Sequence, residues 1–140
     1  GGMLTNFKTI IKRVVYLKEL IALESSGEIN AYTKSERLKI KREIEKLNKS
    51  IGGIVNLNKL PDAIFVVDLA NEITAITEAR KLGIPVIGLA DSNVNPDGVD
   101  FLIPGNDDAI RSIELIAVAI ADACLKGSGK RDEVENKENE

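Results

Sequence analysis

The sequence predicts an α/β protein: an open parallel sheet with helices on its faces, preceded by an antiparallel helical hairpin. Three observations predict it. Two stretches within the first fifty residues repeat apolar side chains every three or four positions, which places them on one helix face. Two later stretches, Ala63-Ile-Phe-Val-Val67 and Ile84 to Leu89, are nearly continuous apolar runs, as strands covered on both faces are. Helical spacing returns after each of them, and alternation of strand and helix builds parallel sheets.

The first helix is read from Phe7, Ile10, Val14, Leu17 and Ile21, with Thr5 or Asn6 as its cap and Gly27 placed to end it. The second opens on Thr33 and Glu36, the spacing of a capping box, and carries Ile40, Ile44, Leu47 and Ile51. Each spans ~18 residues, about 27 Å at 1.5 Å per residue. The short Gly27–Tyr32 connection folds them antiparallel, because neither stripe can be hidden alone. Gly52 and Gly53 permit a change of direction.

From Pro61 onward the pattern becomes strand, helix, strand, strand, helix. Asn71 is placed to cap a helix that turns Ile73, Ile76, Ala79 and the stem of Arg80 toward the sheet, and Gly83 stops it. Pro85 stands at the start of the second strand, where a missing donor costs least. Asn95-Pro-Asp-Gly98 reads as a turn, and Phe101 to Ile103 as a third strand. Asn106 or Asp107 opens a final helix through Ile110, Ile113, Ala117, Ile120 and Cys124, with Cys124 a small buried hydrophobe and Gly127 the end. Residues 128–140 have no apolar period and read as a disordered charged tail. The expected division is 1–53 helical hairpin, 54–127 part of an α/β domain, and 128–140 tail. Three strands are few for such a sheet, so further strands come from elsewhere or the chain is a piece of a larger domain.

Composition narrows the function classes. With 44% apolar and 29% charged residues, the 140-residue chain is ordinary for a globular domain. Its apolar runs are too short to span a bilayer, and Lys8, Lys12 and Arg13 interrupt any leader-like apolar core, so no membrane is expected as a partner. The single cysteine suits a reducing compartment, and the absence of histidine removes the commonest general base and metal ligand. The net charge of -3 conceals an asymmetry. Residues 1–50 carry eleven Lys and Arg against six Asp and Glu; residues 51–140 carry eight against sixteen. A basic segment on an acidic body fits a polyanionic partner, although a solvated helix face shows the same mixture.

Asp68 and Asp91 fall at the carboxyl ends of adjacent strands, where open α/β sheets hold ligands. They suggest two readings, a metal or phosphate site and a pair of turn-making residues. No glycine-rich phosphate motif follows either strand, and no base or nucleophile stands beside them. Turn-making is therefore favoured, with no catalytic residue, cofactor, metal or small-molecule substrate expected. Asp107 and Asp108 are expected in a helix's first turn, where negative charge is favourable. An α/β small-ligand or metal–phosphate module using Asp68 and Asp91, or a protein–protein adaptor using the hairpin, remains the alternative.

Longer ordered motifs add a resemblance. Gly1-Gly-Met-Leu-Thr-Asn-Phe7, Gly52-Gly-Ile54, Leu60-Pro-Asp-Ala-Ile-Phe-Val-Val-Asp68, Glu78-Ala-Arg-Lys-Leu-Gly-Ile-Pro85, Asp91 through Asn95-Pro-Asp97, and Ile103-Pro-Gly-Asn-Asp-Asp-Ala-Ile110 together resemble the bacterial form of the universal small-subunit ribosomal protein S-two family. They extend over roughly Gly1 to Lys126. The family's N-terminal portion has no counterpart here, and Ser92 and Val94 stand where relatives often carry threonine and cysteine.

The resemblance implies a three-layer α/β/α, Rossmann-like (flavodoxin-like) parallel sheet, incomplete in this chain, with an inserted coiled-coil hairpin. It implies a non-enzymatic part of the small ribosomal subunit, on the solvent side between head and body. Expected partners are ribosomal RNA and neighbouring ribosomal proteins, including the largest small-subunit protein, which captures messenger RNA. Localisation would be ribosome-bound in bacterial cytoplasm, or in an organelle. The candidate RNA-binding residues are Asn6, Lys8, Lys12, Arg13, Arg37, Lys41 and Arg42, and the candidate loop and cap residues are Asp68, Asp91, Asn93, Asp97, Asn106 and Asp107.

Overall fold

In the computed structural model the helix α1 runs Phe7–Ser25 and α2 runs Lys34–Ile51. The structure describes residues 1–138, the last nine by backbone alone. Asn6 occupies the first cap, and its carbonyl accepts from the Thr9 and Ile10 N–H groups at 3.1 and 3.2 Å. Gly27, at φ 80°, turns the chain out of α1 into a single 3-10 turn, Glu28–Ala31. Only glycine takes that left-handed geometry without a Cβ penalty. The capping box of α2 forms as its spacing predicts: the Glu36 N–H donates to the Thr33 hydroxyl, and the Glu36 carboxylate accepts the Thr33 N–H at 2.9 Å.

The apolar stripes of the two helices meet. Val14, Leu17 and Leu20 of α1 are buried with Leu47 and Ile51 of α2, and Ile40, Ile44, Ile54 and Val55 pack against them. Ile21, expected in this seam, is instead 40% exposed and Leu20 takes the inner place. A helix of 3.6 residues per turn drifts around its axis, so the seam moves by three residues from Leu17 and leaves Ile21 on the flank.

The chain divides into two compact units, Gly1–Asp62 with Thr77–Ile84, and Ala63–Ile76 with the residues from Pro85 onward. The second unit contains a parallel three-stranded sheet in the order β1 (Ile64–Val66), β2 (Val86–Ala90), β3 (Phe101–Pro104). Ile64 stands beside Val86, and Ile87 beside Phe101. The strands are displaced slightly from the expected runs: β2 begins after Pro85, whose carbonyl accepts the Ile64 N–H. Helix α3, Ile73–Leu82, joins β1 to β2. Ile76 and Ala79 are buried as expected, whereas Ile73 (62%) and Arg80 are exposed.

Two tight fits hold the sheet. A Cβ at Gly88 would lie 2.8 Å from a Leu69 methyl and 3.0 Å from Val99, so the strand requires a residue without a side chain there. Asp100 clamps the start of β3 to β2: its carboxylate accepts the Val86 N–H at 2.7 Å, and its own N–H donates to the Val86 carbonyl at 2.9 Å. Asp100→Ala leaves that N–H of a fully buried residue unpaired, and should cost ~1–2 kcal/mol in urea unfolding. A cost within error would mean the clamp contributes nothing.

The last helix, α4, spans Ile110–Glu138 and so does not end at Gly127. Of the tail expected over 128–140, residues 139 and 140 lie outside the described residues. Ile113, Ile116 and Ile120 are half-buried, but Ala117 and Cys124 are exposed. The expectation that Cys124 is buried is therefore corrected: the side of α4 that carries it has no cover among the described residues.

Candidate nucleic-acid interface

On α1, Lys8, Lys12 and Arg13 are all exposed, and the four-residue spacing of Lys8 and Lys12 puts both ammonium groups on one face. Asn6, also exposed, accepts the Thr9 hydroxyl at 2.8 Å. On α2, Arg42 is exposed, while two of the candidates already have partners within the helix pair. Arg37 donates to the Asn30 side-chain oxygen at 3.3 Å. Lys41 pairs with Glu24 at 3.4 Å, both side chains remaining largely in solvent. Such an exposed pair is worth ~0–1 kcal/mol. The helix pair therefore presents Lys8, Lys12, Arg13 and Arg42 openly, with Arg37 and Lys41 engaged weakly beside them.

The acids at the strand ends are used differently. Asp68 adopts a left-handed backbone, φ 61°. Its carboxylate accepts from the Asn71 N–H at 3.3 Å and from the Asn71 side-chain amide at 2.6 Å. Asn71 thus binds back to Asp68, and α3 begins two residues later. Asp91 accepts the Ser92 N–H at 2.6 Å and hydroxyl at 3.2 Å, with Asn93 exposed in the same turn. In the following turn the Asp97 N–H donates to the Asn95 side-chain oxygen, and the Asn95 amide donates to the Asp97 carboxylate. Asn106 accepts from the Asp108 and Ala109 N–H groups at 2.8 and 2.9 Å. Asp107 and Asp108 precede the helix rather than forming its first turn, because α4 starts at Ile110.

Partial loss of hydration pushes the Asp107 carboxyl above its usual range, and the negative charges of Asp108, Asp91 and Asp68 push it the same way. The strand ends therefore concentrate negative charge. A raised carboxyl binds its proton more tightly in the folded state, so this group lowers stability as pH rises through its ordinary value toward its raised one. Asp107→Asn should raise the midpoint of thermal unfolding slightly at pH 7 and leave it unchanged near pH 3. A lower midpoint at pH 7 would contradict the charge argument.

A depression of about 360 Å3 opens at the ends of β2 and β3, lined by Ala90, Asp91, Val94, Pro96, Leu102 and Pro104 among others. Asp68 is not among the residues that line this depression. Among the described residues no group of three or more His, Cys, Asp or Glu is arranged to hold a metal ion.

One residue with a decisive geometry was not singled out by sequence reasoning. Glu78 of α3, only 8% exposed, accepts three backbone N–H groups from the segment that leads into α1: those of Gly2, Leu4 at 2.9 Å and Thr5 at 3.1 Å. Gly2 and Thr5 N–H bonds, then Leu4, hold its carboxyl down at about 2. The partners lie more than seventy residues apart in sequence, and no local pattern announces the pairing.

The basic side chains of α1 and α2 open to solvent and the strand-end acids make turns, so the chain is an α/β protein with a basic helical surface. Comparison with known proteins gives the family. The Ribosomal_S2 family model, "Ribosomal protein S2", matches residues 1–127, and the chain belongs to the ribosomal protein S2 family. Three curated relatives carry the name small ribosomal subunit protein uS2. That of Geotalea uraniireducens is 49% identical over 132 residues, 94% of this chain and 52% of the relative. That of Pseudoalteromonas atlantica is 51% identical over 140 residues, 100% of this chain and 58% of the relative. That of Saccharophagus degradans is 52% identical over 138 residues, 99% and 56% respectively. The chain thus spans little more than half the length of these relatives. No helix among the described residues is long and apolar enough to cross a membrane.

Proposed function

We propose that this chain is a structural, non-catalytic constituent of the small ribosomal subunit, binding ribosomal RNA and supporting translation. The observation that carries the reading is the family match over nearly the whole chain, joined to a helix pair with exposed basic side chains. In this reading Asn6, Lys8, Lys12, Arg13, Arg37, Lys41 and Arg42 touch backbone phosphates. The three parallel strands belong to a three-layer, flavodoxin-like sheet, and α1 and α2 act as a coiled-coil hairpin. The protein lies on the solvent side between head and body, ribosome-bound in a bacterial cytoplasm or an organelle. Neighbouring ribosomal proteins, including the largest of the small subunit, are recruited beside it. Asp68, Asp91, Asn93, Asp97, Asn106 and Asp107 shape the loops at the strand ends. The acids among them turn that surface away from the RNA backbone or toward a protein neighbour, because like charge opposes an approach to phosphates.

Long basic side chains on a helix read phosphates rather than bases, so binding should be strongly salt-dependent and weakly sequence-dependent. Combining Lys8→Ala, Lys12→Ala and Arg13→Ala should lower the slope of log affinity against log salt by roughly 0.7–0.9 for each phosphate no longer neutralised, about two to three in all. Sequence preference among RNA fragments should stay the same. The measurement is the affinity for the small-subunit ribosomal RNA fragment at several salt concentrations. An unchanged affinity and slope would show that these three residues only solvate α1.

A further inference from the structure

We propose that Glu78 is a positioning residue for RNA binding: it fixes the backbone from which α1 starts, and with it the place of Asn6, Lys8 and Lys12. The inference rests on the RNA-binding reading above. Glu78 and the segment it holds belong to the same compact unit. Its carboxylate accepts the N–H groups of Gly2, Leu4 and Thr5. Thr5 and Leu4 stand two and three residues before Phe7, where α1 begins. The Asn6 N–H closes the same turn on the Gly2 carbonyl at 2.9 Å, and Leu4 is buried.

The start of α1 has little else to hold it. The Asn6 side chain makes no cap bond to the helix, and the first turn carries no acid. The usual local stabilisation of a helix N-terminus is therefore missing. Gly2 holds a left-handed φ of 94°, a geometry that glycine adopts freely and leaves as freely once nothing restrains it. Lys8 is the second residue of α1, in the turn that frays when the lead-in loosens. A frayed start leaves Lys8, and Lys12 after it, to be ordered on contact with phosphate, and that ordering costs affinity. An acid near a phosphate-binding face opposes binding by its charge. The charge of Glu78 and its hold on the backbone thus act in opposite directions, which gives the test its sign.

The test measures affinity for intact small-subunit ribosomal RNA at several salt concentrations, with each protein shown to be folded by its helical circular dichroism. It compares the 140-residue chain, Glu78→Gln, the double variant Lys8→Ala with Lys12→Ala, and all three substitutions together. Glu78→Gln should weaken binding roughly five- to tenfold at ~0.1 M salt and lower the salt slope by about one, the value of one phosphate contact. Loss of a negative charge by itself would strengthen binding instead. In the background lacking both lysines, the same glutamine should change affinity by less than about twofold, because the side chains it positions are gone. Glu78→Asp keeps the charge and should weaken binding in the same sense by a smaller factor; it decides the comparison if Glu78→Gln does not fold. Unchanged or stronger binding by Glu78→Gln, or an equal loss in both backgrounds, would overturn the proposal and leave Glu78 a role in stability alone. If removing the two lysines itself leaves affinity unchanged, the RNA-binding reading of α1 fails first, and the proposal falls with it.

Discussion

Leu17→Ala is expected to destabilise the helix-pair unit by ~3–4 kcal/mol, within the range of about 2–5 kcal/mol typical of buried Leu→Ala changes. Leu17 is 0% exposed and sits between Val14 and Leu20, across from Leu47 and Ile51. Truncation removes apolar surface from the seam and leaves a void. The surrounding side chains, Ile54 and Val55 among them, relax only partly around such a void, so a cavity should persist. Ile21→Ala, one turn further along α1 and 40% exposed, should cost less than ~1 kcal/mol, because most of the removed surface already faces water. The pair of substitutions therefore tests where the seam runs. Urea unfolding followed by the loss of helical circular dichroism reads both. Equal costs would place the seam on the stripe through Ile21 that the sequence spacing suggested.

That contrast also shows what was legible in the residues. Both helices of the pair and the Thr33–Glu36 box could be read from spacing, because a helix face and its cap are determined within a few positions. The parallel strands could be read as apolar runs, and their order agrees with the chain's strand–helix alternation. The shift from Ile21 to Leu20 could not be read, since helical drift against a partner depends on both helices at once. The exposure of Cys124 was also hidden: a sequence shows that α4 has an apolar side, not whether anything covers it. At the candidate site, the basic side chains on α1 were evident as a charge excess. The engagement of Lys41 with Glu24 and of Arg37 with Asn30 depends on how the helices fold back. Asp100 and Glu78 were least legible, because each carboxylate serves backbone donors that sequence distance separates from it.

Glu78→Gln is expected to destabilise the unit containing the helix pair by ~2–3 kcal/mol at pH 7, and by almost nothing near pH 2. The carboxylate accepts the N–H groups of Gly2, Leu4 and Thr5, and charge-assisted bonds of this kind are the stronger class. Those bonds favour the ionised form and hold its carboxyl at about 2, against an ordinary 4.5. One pKa unit is worth about 1.4 kcal/mol, so a depression of this size represents roughly 3 kcal/mol of linkage. The direction is that of a lowered acid: the unfolded state takes up the proton first as pH falls. The stability is therefore complete above the unfolded value near 4.5 and lost progressively toward 2. Glutamine keeps one acceptor oxygen but turns an amide N–H2 toward N–H donors, which removes the charge and sets donor against donor. Glu78→Asp should also weaken the site, because one fewer methylene withdraws the carboxylate from Leu4 and Thr5, but it should retain part of the pH dependence. The measurement is unfolding free energy against pH for the three proteins. If wild type and Glu78→Gln lose stability in parallel as the pH falls from 4.5 to 2, the acid-sensitive stability belongs to other carboxylates, and the segment leading into α1 must be held by its packing alone.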